Sequence, residues 1–217
     1  MKAIVFDLDG TLLDSAPDIR ATANIVLARR EVAPLTLEQT RSFIGSGARV
    51  FVERMAEATG LDPATIDTLE AEFIEIYEHA HDLTRVFPGV EEVLDTLAAD
   101  GWALGLCTNK PMGPARAVLA HFGLDRHFRA VVGGDTLEVR KPDPAPLHHV
   151  LRTLGTENAV YVGDSEVDAA TAQAAALPFA LYTEGYRHTP IEAIPHAAAF
   201  ADFSALPGLA SDLLTHN

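Results

Sequence analysis

The sequence predicts an α/β protein: a doubly wound parallel sheet with an all-helical cap inserted after the first strand. Three observations support this prediction. The chain opens on a short apolar run, residues 3–6, followed by acidic residues and Gly10, as expected of a strand buried inside a parallel sheet. Residues 16–85 then show helical spacing and no strand pattern. From Pro88 onward, helical segments alternate with short apolar runs, which is typical of repeated β-α units.

Two domains are predicted: an α/β core of residues 1–15 and 86–217, and a helical cap of residues 16–85. The helices expected in the cap are 18–30, a short helix that begins at Thr36, 48–59 and 63–83. The second helix has the sequence of a capping box, because Gln39 follows Thr36 at a distance of three residues. Gly45-Ser46-Gly47 separates it from the third helix.

In the core, strands are predicted from short apolar runs and helices from helical spacing. The expected strands are 103–108, 130–133, 158–162 and 179–182, and the expected helices are 90–99, 113–122, 143–154 and 167–176. Asp143 is the expected N-cap of its helix, with Pro144 in the first turn and Gly155 at the end.

Composition and charge narrow the class of partner. The 217 residues carry a formal net charge of −15, which argues against nucleic acid, because binding to a phosphate backbone depends on clustered lysine and arginine. No apolar stretch approaches the length that spans a bilayer. The N-terminus lacks a signal-like segment, and the single cysteine, Cys107, fits a reducing compartment. A cytoplasmic protein that acts on a small molecule is therefore expected; the oligomeric state stays open.

Asp7 and Asp9 directly follow the first strand, where carboxylates are unexpected. Residues two apart in an extended segment point to the same side, so both carboxylates project together from the end of the strand. Two anions about 4 Å apart repel by roughly 4 kcal/mol at an effective dielectric constant near 20. A divalent cation is the expected compensating charge, and Mg²⁺ prefers such oxygen ligands.

Polar residues also follow three other strands of the predicted sheet. They are Thr108-Asn109-Lys110, Arg140-Lys141-Pro142 after a loop, and the run from Gly163 to Asp168. In open α/β sheets, ligands bind outside the carboxyl ends of the strands. Acids, a hydroxyl group and a lysine are therefore expected to meet at one edge of the sheet.

These motifs resemble, in order, those of the haloacid dehalogenase superfamily. The residues that carry the resemblance are Asp7-Leu8-Asp9-Gly10-Thr11, Thr108-Asn109, Lys141, and Gly163-Asp164 through Asp168. Within the superfamily the chain is most similar to the phosphoglycolate phosphatases, through DLDGTLLDSAPD at 7–18, FIGSGA at 43–48, TNKP at 108–111, GGD at 133–135 and KPDPAPL at 141–147. The resemblance covers nearly the whole chain. It implies a Mg²⁺-dependent phosphatase for a small phosphomonoester, with 2-phosphoglycolate as the first candidate; a sugar-phosphate mutase, or a phosphatase for another small phosphorylated metabolite, is the alternative.

The residue types support this chemistry. Asp7, the backbone carbonyl of Asp9, and Asp164 are the expected Mg²⁺ ligands. Asp7 is the predicted nucleophile, which attacks phosphorus and forms an aspartyl-phosphate. Asp9 is the predicted acid that protonates the leaving alcohol and then accepts a proton from the hydrolytic water. A dehalogenase expels halide and needs no such acid, so Asp9 favours phosphoryl transfer.

The remaining motifs supply donors and a supporting acid. Thr108 and Lys141 are expected to stabilise the transferred phosphoryl group. Further predicted substrate contacts in the core are Thr11 and Asn109. Asp168 is expected to orient Lys141 or a metal-bound water, and the alternative interpretation is a first-turn acid that only interacts with the helix dipole.

The cap is expected to close over this site and exclude water. Gly45, Ser46 and Gly47 are its predicted substrate contacts, because glycines let a backbone approach a ligand closely. Arg41 and Arg49 flank this turn and are candidates to pair with a substrate carboxylate. The alternative is that both are solvated helix residues.

Overall fold

A parallel sheet of six strands is the centre of the molecule in a computed structural model, which describes residues 1–215. The strands are β1 (Ala3–Phe6), β2 (Leu13–Asp14), β3 (Arg85–Val86), β4 (Ala103–Cys107), β5 (Ala130–Val132), β6 (Ala159–Gly163), β7 (Phe179–Tyr182) and β8 (Ala198–Phe200). The helices are α1 (Ala16–Ala28), α2 (Leu37–Phe43), α3 (Ala48–Thr59), α4 (Ile66–Tyr77), α5 (Val90–Ala99), α6 (Met112–His121), α7 (Ala145–Leu154), α8 (Glu166–Ala174) and α9 (Leu206–Thr215). The strand order is β5-β4-β1-β6-β7-β8.

The register of the sheet brings the polar strand ends together. β1 lies between β4 and β6 and is parallel to both. Phe6, its last residue, is opposite Leu106 in β4 and Val162 in β6. Asp7 therefore leaves the sheet within one residue of the level at which Thr108 and Asp164 leave it.

Helices cover both faces of the sheet, which confirms the predicted doubly wound fold. Ile4 and Phe6 pack in one hydrophobic cluster with residues of α5, α6 and α9, whereas Ala3 and Val5 pack in another with α7 and α8. This alternation follows from the period of two in a strand. Residues buried on both sides explain why β1 is a continuous apolar run.

The cap helices α1 to α4 share a third hydrophobic cluster. It includes Met55 of α3 and Leu69 and Phe73 of α4, all of which are buried. The capping box of α2 is present: the Thr36 hydroxyl accepts from the Gln39 N–H at 3.1 Å, and the Gln39 side chain accepts from the Thr36 N–H at 3.0 Å. The predicted domain boundaries stay a prediction, and residues 216 and 217 of the predicted core lie outside the described residues.

The chain enters and leaves the cap side by side. β2 and β3 pair antiparallel, with Leu13 opposite Val86 and Asp14 opposite Arg85. The buried carboxylate of Asp18 then accepts from the Thr84 N–H and the Thr84 hydroxyl, both at 2.6 Å. The two crossings are therefore fastened to each other at the base of the cap.

Several elements differ from the prediction. The helix expected at 63–83 is a short 3₁₀ turn followed by α4, which ends at Tyr77. A strand at Arg85 was not predicted, because two residues of β3 are too few to show a period. Asp143 is not the N-cap: α7 begins at Ala145, and the Asp143 carboxylate accepts from the Ala145 N–H at 2.8 Å in a turn before the helix. β8 and α9 lie beyond the last predicted element.

In the chain from residue 1 to residue 215, none of the helices combines the length and apolar character that crossing a membrane requires.

Candidate active site

Asp7 is a buried carboxylate at the end of β1. Its Oδ1 atom lies 2.9 Å from the Nζ atom of Lys141 but has no hydrogen-bond partner of suitable geometry in the described chain. Burial raises the pKa of Asp7 to about 7; Lys141 opposes this shift and the nearby charge of Asp168 adds to it. Lys141 therefore compensates the negative charge of the Asp7 carboxylate only in part.

Lys141 is held by a buried polar network. Its Nζ atom donates to Asp168 Oδ1 at 2.8 Å and to the Tyr161 hydroxyl at 3.0 Å. Burial lowers the pKa of Lys141, but the adjacent charges of Asp168 and Asp7 outweigh burial, so the net pKa shift is upward. Lys141 therefore stays charged beside Asp7 at neutral pH.

Asp168 is fixed from both of its carboxylate oxygens. Oδ1 accepts from Lys141 and from the Tyr161 hydroxyl, the latter at 2.9 Å, and Oδ2 accepts from the Ser165 hydroxyl at 2.7 Å. Burial raises the pKa of Asp168, but Lys141 and the hydrogen bonds overcome this and lower it. Asp168 also completes a capping box with Ser165 at the start of α8. It therefore contacts both Lys141 and the first turn of this helix.

Asp164 follows β6 and is clamped by neighbours. It accepts from the Thr11 hydroxyl at 2.7 Å and from the Tyr186 N–H at 2.7 Å. Gly10 and Gly185 press against it: a Cβ atom on Gly185 would lie 2.3 Å from the Asp164 side chain. Thr11 is fully buried behind Asp164, so the structure places it against a carboxylate and not at the pocket surface, where a substrate contact was predicted.

The acidic cluster suits a divalent cation. Asp7, Asp164 and Asp168 each offer a carboxylate oxygen, and these oxygens lie within 4.8 Å of one another. Burial and the charges of Asp168 and Asp7 raise the pKa of Asp164 well above its ordinary range. The oxygen of Asp7 without a hydrogen bond and the all-oxygen donor set fit a hard cation. Asp168 is already saturated with donors, so Asp7 and Asp164 are the better ligands.

Asp9 has a different set of contacts from this cluster. The Ser15 hydroxyl donates to its Oδ1 atom at 2.6 Å, and the Lys110 Nζ atom donates to the same atom at 3.0 Å. The side chain of Asp9 is 13% exposed. Asp7 and Asp9 therefore share one strand end but have different partners: Asp7 pairs with Lys141, and Asp9 pairs with Lys110.

Thr108 and Asn109 connect the core motifs to the cap. Thr108 is buried at the end of β4 and accepts from the Lys110 N–H at 3.2 Å. The Asn109 amide group donates to the Gly45 carbonyl at 2.9 Å and to the Lys141 carbonyl at 3.0 Å, and its oxygen accepts from the Lys141 N–H at 3.0 Å. The Asn109 side chain thus links three segments: the end of β4, the turn at Gly45 and the loop at Lys141.

A pocket of about 460 Å³, counted out to its mouth, lies between the core edge and the cap. Its core wall consists of Asp7, Asp9, Thr108, Asn109, Lys110 and Pro111. Its cap wall consists of Ile19, Ile44, Gly45, Gly47, Ala48, Phe51, Phe73 and Tyr77. Gly45 and Gly47 have φ values of 115° and 90°, which side chains rarely adopt. Ser46 is half-buried and does not line this pocket.

The two predicted cap arginines do not line the pocket. Arg41 is 46% exposed and lies 3.6 Å from Asp14, with its guanidinium over the Tyr186 ring. Arg49 pairs with three acids of the cap: Glu53 at 3.0 Å, Glu70 at 3.0 Å and Asp67.

Sequence reasoning missed the roles of Lys110, Tyr77, Tyr161 and Tyr186. Lys110 was visible as a residue after a strand, but a loop lysine is usually solvated. Tyr161 lies inside β6 and Tyr77 on an apolar helix face, where aromatic residues are ordinary core residues. Cys107 is buried, and burial raises the pKa of its thiol to about 12, as is typical of an unreactive core cysteine.

Comparisons with known proteins agree with this geometry. The family model of haloacid dehalogenase-like hydrolases matches residues 4–182. A phosphoglycolate phosphatase of Cereibacter sphaeroides is 49% identical over 99% of this chain and 100% of its own length, and one of Rhodobacter capsulatus is 48% identical over 95% of each. A crystal structure of a predicted phosphoglycolate phosphatase from Haemophilus somnus covers 96% of this chain and 97% of its own, with a TM-score of 0.91 and 30% identity. The predicted resemblance is confirmed: the chain belongs to the haloacid dehalogenase-like hydrolase family.

Proposed function

We propose that this chain is a cytoplasmic, Mg²⁺-dependent phosphatase that hydrolyses 2-phosphoglycolate through an aspartyl-phosphate on Asp7. The observation that carries the proposal is the division of labour between two adjacent acids. Asp7 pairs with Lys141 and belongs to the acidic cluster, whereas Asp9 pairs with Lys110, and both carboxylates line the pocket. The similarity to phosphoglycolate phosphatases over the full chain supports the choice of substrate.

Asp7 acts as the nucleophile. One oxygen attacks phosphorus in line with the leaving alcohol, so the bond from phosphorus to the ester oxygen breaks as the bond to Asp7 forms. Lys141, oriented by Asp168, lies 2.9 Å from Asp7 and offsets negative charge on the equatorial phosphate oxygens. The buried Thr108 hydroxyl adds a donor at the neighbouring strand end.

Asp9 handles the protons. It donates a proton to the leaving alcohol in the first half-reaction and accepts one from water in the second. Ser15 and Lys110 fix the orientation of its carboxylate, at 2.6 and 3.0 Å. Water attack on phosphorus then releases phosphate and regenerates the Asp7 carboxylate.

Mg²⁺ would be held by Asp7 and Asp164, with the predicted backbone carbonyl of Asp9, and would neutralise the charge of the carboxylates and of the incoming phosphate. Thr11 and Tyr186 hold Asp164 in place for this task. The distances among the acidic oxygens support such a site.

The cap supplies the wall around the leaving group. Gly45, Ser46 and Gly47 precede the N-terminus of α3, where free backbone N–H groups and the helix dipole favour an anion. Asn109 holds this turn through the Gly45 carbonyl. The apolar side chains of the cap wall limit water around the reacting groups.

Phosphate release from small phosphomonoesters, with Mg²⁺ and with a chelator, tests the proposal. The panel contains 2-phosphoglycolate, hexose phosphates and nucleoside monophosphates. Metal-dependent release with the highest kcat/KM for 2-phosphoglycolate is expected. A preference for another ester would overturn the substrate, isomerisation of a hexose 1-phosphate without phosphate release would indicate a mutase, and absence of metal-dependent turnover would overturn the enzymatic assignment.

A further inference from the structure

Lys110 is a buried cation that the reaction described above uses only as a support for Asp9. Its side chain is 2% exposed. Its Nζ atom donates to Asp9 Oδ1 at 3.0 Å and to the Tyr77 hydroxyl, and it lies 3.8 Å from the centre of the Tyr77 ring. Removing an ammonium group from water costs several kcal/mol, so a buried lysine opposite a mainly apolar cap wall calls for a function.

Lys110 contributes a positive charge to the lining of the pocket. Among the residues that the structure describes, Lys110 is the one lysine or arginine that lines it, and most of the cap wall is apolar. An ammonium group has three N–H donors, of which Asp9 and Tyr77 take two. A third donor is available to a ligand in the pocket.

The position of Lys110 relative to Asp9 fixes which part of a substrate it meets. Asp9 must come within about 2.6–3.2 Å of the ester oxygen to protonate it. In 2-phosphoglycolate, the carboxylate carbon is two bonds from that oxygen, so the carboxylate oxygens lie roughly 3–4 Å from it at ordinary bond lengths. Because Lys110 Nζ is 3.0 Å from Asp9, a carboxylate at that place is within its reach.

We propose that Lys110 is the specificity-determining residue that binds the carboxylate of the substrate, and that Tyr77 of the cap orients its ammonium group. This inference rests on the proposed function. It replaces the predicted role of Arg41, which pairs with Asp14 outside the pocket. It also links selectivity to the cap, because Tyr77 is the last residue of α4.

The first test compares three esters that differ only at the end of the leaving group: 2-phosphoglycolate, 2-hydroxyethyl phosphate and phosphoethanolamine. The measured quantity is the ratio of kcat/KM for 2-phosphoglycolate to kcat/KM for 2-hydroxyethyl phosphate. Lys110→Met should lower this ratio roughly 10- to 100-fold, the range of one hydrogen bond to a charged group. It should also raise the relative rate with the cationic phosphoethanolamine. Lys110→Arg should restore much of the ratio, and Arg41→Met is the matched control that should leave it within twofold.

The second test removes the chemistry of Asp9 from the measurement. Calorimetry compares 3-phosphonopropionate, an unreactive analogue with a carboxylate, with propylphosphonate, which lacks it. Lys110→Met should lower the ratio of their affinities by the same 10- to 100-fold, even if turnover of every ester falls. Lys110→Gln serves if the methionine variant does not fold.

The outcomes separate the two proposals. If the wild-type enzyme shows no preference for 2-phosphoglycolate over 2-hydroxyethyl phosphate, the proposed substrate is wrong. If the wild type has the preference and the Lys110 variants keep it in both tests, the role of Lys110 is wrong, and the backbone amides before α3 become the carboxylate site.

Discussion

The two walls of the pocket differ in the residues that form them and in the interactions that hold those residues in place. The core wall presents Asp7, Asp9 and Thr108 from strand ends, backed by a network in which both oxygens of Asp168 are occupied. The cap wall presents mainly apolar side chains, such as Phe51 and Phe73, that also belong to the hydrophobic cluster of the cap. The core wall is thus fixed by directional bonds, whereas the cap wall is fixed by packing.

This difference separates chemistry from selection. Groups that must attack, protonate or stabilise charge need fixed orientations, which rigid strand ends and buried hydrogen bonds supply. Recognition of a small leaving group needs shape and exclusion of water, which the packed helices of the cap supply, and one charge, which Lys110 supplies from the core wall. Variants of Asp7 and Thr108 should therefore change the rate for every substrate, whereas variants of Lys110 and of the cap wall should change the order of substrates.

The largest expected effect is on the nucleophile. Asp7→Asn should lower kcat for all esters by roughly 10⁴-fold or more, because the amide cannot form the aspartyl-phosphate. Steady-state phosphate release measures it, and Asp100→Asn, which alters an exposed carboxylate at the end of α5, is the control. Near wild-type rates in Asp7→Asn would show that Asp7 is not the nucleophile and would contradict the assignment of the chemistry to the core wall.

Asp9 should show an effect that depends on the leaving group. Asp9→Asn should lower kcat/KM for 2-phosphoglycolate by about 10²–10⁴-fold, the usual range for general acid–base catalysis. For p-nitrophenyl phosphate, whose leaving group needs no proton, the loss should be smaller by at least about tenfold. Equal losses with both esters would show that Asp9 acts as a structural anion and not as an acid.

The buried charge of Asp7 should appear as a pH-dependent cost in stability. Its folded-state pKa of about 7 is above the ordinary aspartate value of 3.8, so the folded state binds the proton more tightly than the unfolded state does. Its contribution to the free energy of unfolding is present below about pH 4 and is lost as the pH rises to about 7. At about 1.4 kcal/mol per pKa unit, the loss is on the order of 4 kcal/mol.

Asp7→Asn should therefore raise the Tm of metal-free protein at pH 8 by several degrees, measured by calorimetry with a chelator. At pH 4 the gain should vanish. Mg²⁺ should shrink the gain at pH 8, because a cation that binds the folded wild type stabilises it. A gain of equal size at pH 4 and pH 8 would contradict this account of Asp7.

Loss of the Asn109 hydrogen bonds between the two walls should give the smallest effect. Asn109→Ala removes the partner of the Gly45 carbonyl and of both backbone groups of Lys141. Unsatisfied buried polar groups cost about 1–3 kcal/mol, so the free energy of unfolding in urea should fall by that amount. Asn158→Ala, at an exposed site, should change it by less than about 0.5 kcal/mol. If Asn109→Ala changed the free energy of unfolding as little as that control, the Asn109 hydrogen bonds would not stabilise the contact between the walls.

The sequence predicted the core wall better than the cap wall, for a physical reason. A carboxylate or lysine after an apolar strand stands out, because its burial demands a partner, and parallel strand ends meet at one edge. Asp7, Thr108, Lys141 and Asp164 could be located in this way. Thr11 follows the same rule, but its hydroxyl turns inward to Asp164, which spacing alone does not show.

The cap wall gives no comparable signal. Phe73 and Tyr77 have the same helical spacing whether they face the cap core or the pocket. The structure places both arginines outside the pocket lining, and Arg49 pairs with Glu53, Glu70 and Asp67 within the cap. The sequence does not show which of several acids a charged side chain contacts. Contacts between distant segments, such as that of Tyr186 with Asp164, depend on the tertiary fold.

Trapping the covalent intermediate tests the central claim most directly. Radiolabelled 2-phosphoglycolate would be mixed with the Mg²⁺-supplemented enzyme, quenched in acid within milliseconds, and the labelled peptide identified. Acid-stable, hydroxylamine-labile label on the peptide that contains Asp7, absent from Asp7→Asn, is the predicted result. Label on another peptide, or rapid turnover without any labelled peptide, would contradict the account.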